Sequence, residues 1–329
     1  MFIRFFRSSF PAQYLVVGLI GLMLWGKAFV QPPPMPAPEG PVPLYSLLYS
    51  LLGQLPNLAV LIGFMLVLLE TWWLNILLNR HELVLKNSSL ASLVFIIMMS
   101  SSPLYLTTHP LNICILFSIV IINNLMISYS KADDLDLIFS SGFFIAIGSF
   151  FYFPFLLMLI ILPVSFILFR SSKWREYAAA VIGFITPYIF LSAFYFLTGQ
   201  LALQAVLYKR MVASFFFYPI NLHTDDWVIG LFTLILAIWG FYYLLSGPME
   251  KTAEIRAKTY LVVWLVLVSL LSVIYSTSLL VYHIMMLFPA LTLMLTSAFL
   301  GIKKKRWAEI IFLIYFLLIL VNSYFYNPE

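Results

Sequence analysis

Few residues in this chain could do chemistry, and most of them stand at the edges of long apolar runs. Glu70 is the exception: it lies ten residues before Arg80 inside an apolar stretch, about 15 Å from that arginine at 1.5 Å per helical residue. A carboxyl at such a depth suits either a proton relay or a hydrogen-bonded structural role, because a charge in hydrocarbon is costly. Asn75 follows on the same run, but a five-residue offset turns it about 140° away, so the two form no single polar stripe. A second group is Lys209 and Arg210, two adjacent cations of the kind that hold a lipid phosphate, with His283 as a third basic candidate. Glu39, Asp225 and Asp226 are carboxylates able to take a proton from an acceptor hydroxyl. Two other readings remain open for these residues. Asp225 and Asp226 fit the N-terminus of a helix starting near Trp227, and Lys209 and Arg210 fit snorkelling to head groups. His223 with Asp225 and Asp226 offers too few fixed ligands for a metal site, and no metal or other cofactor is expected.

The elements that carry these residues are transmembrane helices. Hydrophobic residues make up 63% of the 329 and charged residues 9%, against roughly 45–50% and 25% in soluble domains. That composition excludes a soluble enzyme, a disordered chain and a nucleic-acid-binding module. Apolar runs predict eleven spans, at 13–30, 57–79, 88–106, 109–129, 136–150, 153–169, 177–198, 227–246, 259–276, 280–300 and 307–324. With the N-terminus inside, fifteen of the 18 Lys and Arg residues fall in cytoplasmic loops, from Arg4 and Arg7 to the Lys303–Arg306 cluster. Lys209 and Arg210 fall outside, so the positive-inside rule fixes the orientation. The run 136–169 reads as two short helices with a turn near Gly148 and Pro154, leaving and returning on one side. Arg4 and Arg7 before the first run resemble a signal peptide, but no small-x-small cleavage site follows, so the span is read as retained.

A single transmembrane domain, 1–329, is expected, with two outer features. Residues 31–56 hold a proline-rich stiff segment, Pro32–Pro43, and then an amphipathic helix. Leu44, Leu47, Leu48, Leu51, Leu52 and Leu55 recur at three- and four-residue spacing against Tyr45, Ser46, Tyr49, Ser50 and Gln54, as in a helix lying flat on the outer leaflet. Residues 199–226 form an outer loop. The lone cysteine, Cys114, reads as a buried small hydrophobe. Asp133, Asp134 and Asp136 read as the capping end of a helix. Asp134-Leu135-Asp136 also looks like the acidic motif of soluble-type glycosyltransferases, but no room exists for their nucleotide-binding domain.

Several stretches carry a family resemblance: Asn79-Arg80-His81-Glu82-Leu83, Asn87-Ser88-Ser89, Gly142 to Phe153, Ser172 to Tyr177 and Gly183 to Tyr188. Together they resemble a polytopic inner-membrane family of Bacteroidota to which no activity is assigned. More distantly, the chain looks like the C-type membrane glycosyltransferases. The likeness rests on the amphipathic outer helix, the short-helix hairpin followed by a basic loop, and Tyr282-His283 leading into Met286-Leu287-Phe288-Pro289-Ala290-Leu291. That resemblance implies transfer of sugars from polyprenyl-phosphate donors at the outer face. Those enzymes place an Asp or an Asp-Glu pair in the first outer loop as base. Here that loop offers only Glu39, and the late basic residue is His283.

The expectation is therefore an all-α, eleven-span inner-membrane protein with a cytoplasmic N-terminus on a C-type glycosyltransferase-like scaffold. Its expected work is handling a polyprenyl-linked glycan at the periplasmic face, with membrane lipid and membrane proteins as partners and no nucleic acid. Two alternatives are a non-enzymatic subunit of a cell-envelope or secretion assembly, and a transporter using Glu70.

Overall fold

The computed structural model describes residues 2–8, 10–38, 40–84, 87–130, 134–169, 173–213, 224–246, 252–274, 283–302 and 304–325. Among these the chain is entirely helical, without strands. The helices are α1 (Phe2–Phe5), α2 (Pro11–Val30), α3 (Pro43–Leu52), α4 (Pro56–Arg80), α5 (Leu90–Met99), α6 (Pro110–Ser130), α7 (Leu135–Phe151) and α8 (Ile161–Leu168). They continue with α9 (Trp174–Leu197), α10 (Leu201–Ala213), α11 (Thr224–Ser246), α12 (Ala253–Ile274), α13 (Phe288–Gly301) and α14 (Lys305–Phe325). Prolines open α2, α3 and α4, where a missing N–H and a fixed φ cost nothing. Among the described residues, seven helices are long and apolar enough to cross a membrane: α2, α4, α6, α9, α11, α12 and α14. The chain is thus a multi-pass helical membrane protein.

The remaining apolar elements are shorter than the sequence reading of continuous spans. The run 88–106 becomes the ten-residue α5, then an irregular segment with a 3-10 turn at Pro103–Tyr105. The reason lies in Ser100-Ser101-Ser102-Pro103. Ser100 Oγ donates back to Ile96 O at 2.7 Å, and Ser102 is extended (φ −134°, ψ 140°) before a proline that cannot continue the helix. The run 136–169 divides as read, into α7, a 3-10 stretch Phe153–Ile160 and α8. The run 280–300 holds a 3-10 turn Met285–Leu287 leading into α13.

Contacts show which element ends lie together. One end of the bundle gathers Phe6 with Ser88 and Ser89, His81 with Asn123 and Tyr129 with Phe169. This is the basic end. The opposite, proline end gathers Ala59 with Thr108, Cys114 with Gly148, Met23 with Tyr324, and the cluster of Met35, Val42, Tyr45 and Phe153. All ten residues of α5 are buried, as expected for a helix apolar on every side. α7 and α9 cross at contact distance: a Cβ on Gly142 would lie 2.3 Å from Ala180 O, and one on Gly183 would lie 2.1 Å from Phe139 O. Small residues at such crossings let helix backbones meet within a membrane.

The amphipathic helix differs from its expectation in one respect. Tyr45 is buried, with its hydroxyl donating to Pro36 O at 2.5 Å, instead of lying on a wet polar face. The stiff segment folds back over α3, and Tyr45 and Leu52 pack inward while Leu47 and Leu51 stay exposed.

Candidate functional site

The break after α5 builds the site. Non-helical backbone at membrane depth persists only where it is buried in protein or lines a cavity, and the segment 100–109 meets that condition. Trp25 Nε1 donates to Ser100 Oγ at 3.2 Å, Asn322 Nδ2 donates to Ser101 O at 2.8 Å, and Thr108 Oγ1 donates to Ala59 O at 2.5 Å. His109 Nδ1 accepts from Leu111 N at 3.1 Å, which places the ring proton on Nε2. Three buried polar atoms here have no hydrogen-bond partner among the described residues: Ser102 Oγ, Thr107 Oγ1 and Asn112 Oδ1. Beside this segment, the Tyr152 hydroxyl is hydrogen-bonded to His283 Nδ1, with the rings 5.3 Å apart.

A groove opens from the same region. Its volume is about 580 Å³, and it is lined by α11, α12, α13 and the segment 101–105, within the range of about 300–1,000 Å³ typical of ligand pockets. Trp227, Gly230, Leu234, Ala237 and Phe241 from α11 face Val263 and Leu270 from α12 and Phe288 and Met294 from α13. The polar groups on its wall are Ser101, Ser102, Tyr105, Trp227 and Thr233. Thr233 Oγ1 is engaged with Ile229 O and the Tyr315 hydroxyl. Among the described residues, the buried Ser102 hydroxyl on this wall has no hydrogen-bond partner. The groove is apolar because these helix faces carry Leu, Ile, Val and Phe. Two of its walls, α11 and α12, are helices of membrane-crossing length.

The residues singled out from sequence distribute unevenly. Lys209 is exposed on α10, next to Tyr208, whose ring packs 6.1 Å from that of Phe153. The turn of α10 carrying Lys209 therefore lies near Phe153, the residue after Tyr152. His283 itself is fully buried, which separates it from the exposed cation as a head-group ligand. Arg210 lies in α10 and Asp225 and Asp226 in the first turn of α11, but their side chains fall outside the described residues, as do Glu39 and His223 altogether. Asp134 stands at the N-cap of α7 without a side-chain cap bond, and Asp136 lies in its first turn. Cys114 is buried, with its thiol toward Gly148 O at 3.5 Å. Glu70 is fully buried, and neither of its oxygens has a partner among the described residues.

A second polar cluster sits at the basic end, where sequence reasoning saw only loop charges. Lys258 Nζ donates to Glu254 Oε1 at 2.6 Å and to His81 Nδ1 at 3.2 Å. His81 Nε2 then donates to Asn123 Oδ1 at 3.2 Å. The Tyr129 ring centroid lies 5.9 Å from the ammonium. Burial, helped by the Lys258 charge, pushes the His81 imidazole down to about 4. The Glu254–Lys258 spacing of four was visible as a helical ion pair, whereas the partnership with His81 depends on the packing of α4, α6 and α12.

Searches among protein families, curated proteins and solved structures find nothing that matches this chain.

Proposed function

We propose that this protein binds a polyprenyl-linked glycan at the outer face of the bacterial inner membrane, holding its tail in the groove between α11, α12 and α13. The groove is the observation that carries the reading. Along α11 it runs from Trp227 to Phe241, fourteen residues or about 21 Å, whereas one leaflet contributes only about 15 Å of hydrocarbon. A tail longer than an ordinary acyl chain suits that depth. Its polar end would meet Ser101, Ser102 and Tyr105 at the proline end, which this reading puts at the periplasmic face on the strength of the positive-inside rule. Lys209 and Arg210 are the residues proposed to meet the phosphate, and Glu39, Asp225 and Asp226 the carboxylates proposed to serve an acceptor hydroxyl. In this reading His283 does not touch the phosphate; it positions the broken segment through Tyr152.

The same proposal includes eleven crossings with the N-terminus inside. Seven would be full-length helices and four would be the shorter elements: α5 with its broken continuation, α7, α8 with its 3-10 lead, and α13 with its own. Supporting this are the contacts that alternate between the two ends of the bundle along the chain. The scaffold would then be like that of the C-type glycosyltransferases.

Co-purification tests the binding. Polyprenyl-phosphate lipids should accompany the detergent-extracted protein in mass spectra and be lost in Gly230→Trp. A Cβ at Gly230 meets nothing within 4 Å, so the substitution fills the groove mouth without a backbone clash. Equal retention of ordinary phospholipid and polyprenyl lipid by both proteins would defeat the proposal.

A further inference from the structure

The groove has a floor. Toward the basic end its lining stops at Phe241 on α11, Val263 on α12 and Met294 on α13. Gly240 supplies the physical reason on two of these helices. A Cβ there would overlap the Met294 carbonyl group, so the α11 and α13 backbones touch where the lining stops, as small residues permit within a membrane. Below this crossing the two helices stay together. Tyr243 packs its ring on Gly301, where a Cβ would stand 2.6 Å from the ring, and Trp239 lies beside Tyr243 with centroids 6.2 Å apart. Leu244, one turn past Phe241 on the same stripe of α11, is buried at 2% exposure.

The distance from mouth to floor sets how much tail the groove can hold. Trp227 and Gly240 are thirteen residues apart, or about 20 Å along the helix. An extended isoprene unit adds four carbon–carbon bonds of about 1.5 Å each, or about 5 Å of chain. Four units therefore reach from the mouth to the floor. Inside a membrane a tail gains nothing by leaving water, and what holds it is packing against the wall. Units past the floor find no wall and add no packing. Because the site is a groove and not a closed cavity, a longer tail is not shut out.

We propose that the groove recognises the four isoprene units nearest the phosphate and is indifferent to tail length beyond them, with Phe241 and the Gly240–Met294 crossing as the stop. The inference rests on the lipid reading above and narrows its substrate class to phosphorylated isoprenoids of four or more units. The test is competition on the whole protein in nanodiscs. Isoprenyl monophosphates of two, three, four, five and eight units, each at the same mole fraction in the bilayer, compete with a diazirine-bearing eight-unit analogue, and the crosslinked protein is read by mass. Displacement should strengthen several-fold with each unit up to four and then level off. Val266 lines the groove half-buried, one turn nearer the mouth than Val263, about 4.5 Å or one isoprene unit. Val266→Phe should therefore move the levelling point to three units. Phe241→Ala, which removes the side chain at the floor without a backbone clash, should move it beyond four. Displacement that keeps strengthening through eight units, displacement equal at all lengths, or a levelling point unmoved by both variants would overturn the proposal. Gly230→Trp separates this inference from the reading beneath it. If that variant leaves displacement by every length unchanged, the lipid is not in the groove and both fall. If it abolishes displacement while the unsubstituted protein shows no levelling point, the lipid reading stands and the length rule alone is refuted.

Discussion

Replacing Gly183 by alanine should loosen the crossing of α7 and α9, and the size of the effect can be worked from the geometry. The added Cβ would sit 2.1 Å from Phe139 O and 2.9 Å from Phe139 C, so the helices must part by about 0.9 Å to reach the 3.0 Å below which such contacts essentially never occur. The obstacle is backbone, so no side chain can swing aside. Overpacking of this kind costs about 1–3 kcal/mol. Alanine also gains about 1 kcal/mol over glycine in a helix interior, which would mask part of the loss. Gly18→Ala on α2 isolates that gain, since a Cβ there meets nothing within 4 Å. Relative to Gly18→Ala, Gly183→Ala should therefore be less stable by about 1–3 kcal/mol, roughly five- to 150-fold in the folding equilibrium. Pro187 lies inside α9 and removes the hydrogen bond that the Gly183 carbonyl would accept, so local bending favours the lower half of that range. The assay is equilibrium unfolding from mixed micelles into denaturing detergent. The crossing also matters to the site, because α7 carries Ser149, bonded to Tyr188 at 2.7 Å, and leads into Tyr152. Equal stability of the two alanine variants would refute the close-contact reasoning.

Further predictions concern the basic end, the broken segment and the topology. Because the folded protein holds His81 near 4, below its ordinary 6.5, the unfolded chain binds more protons between those values. The His81 contribution to stability is therefore complete above about pH 6.5 and fades as pH falls toward 4; His81→Gln should flatten that part of a pH–stability curve. Lys258→Ala should raise the His81 titration midpoint measured by NMR, but not to 6.5, because burial remains the larger cause. Tyr152→Phe removes the partner of His283 Nδ1 and should cost about 1–3 kcal/mol in the same unfolding assay. In a Cys114→Ala background, cysteines at Gln200 and Gly40 should react with an impermeant thiol reagent from the periplasmic side, whereas those at Asn87, Lys173 and Thr252 should not. Labelling of Lys173 from outside would remove the α7–α8 hairpin from the crossing count.

The seven long helices were legible because their apolar residues recur without interruption over a membrane's thickness, and Pro11, Pro56 and Pro110 mark three of their starts. The hairpin was legible from Gly148 and Pro154. The break after Met99 was written in Ser100-Ser101-Ser102-Pro103, but hydropathy alone reads those small residues as part of a span, and so the broken segment was missed. The groove could not be read at all, because it depends on which faces of α11, α12 and α13 stand apart rather than on any residue type. His283 was found as a residue of interest but assigned to a head group. Its burial against Tyr152, 131 positions away, depends on long-range packing that no local pattern encodes. The same holds for His81, whose role depends on Lys258, 177 positions away.

The central claim is that a long isoprenoid tail lies along α11, and photo-crosslinking tests it most directly. A polyprenyl phosphate carrying a diazirine far down its tail should, on illumination in native membranes, attach to peptides around Ala237–Phe241 and Val263–Val266. An analogue with the diazirine near the phosphate should attach near Ser101–Tyr105 and Trp227. Gly230→Trp should suppress both. Crosslinks spread evenly over the exposed faces of α9 and α14, unchanged by Gly230→Trp, would contradict the account.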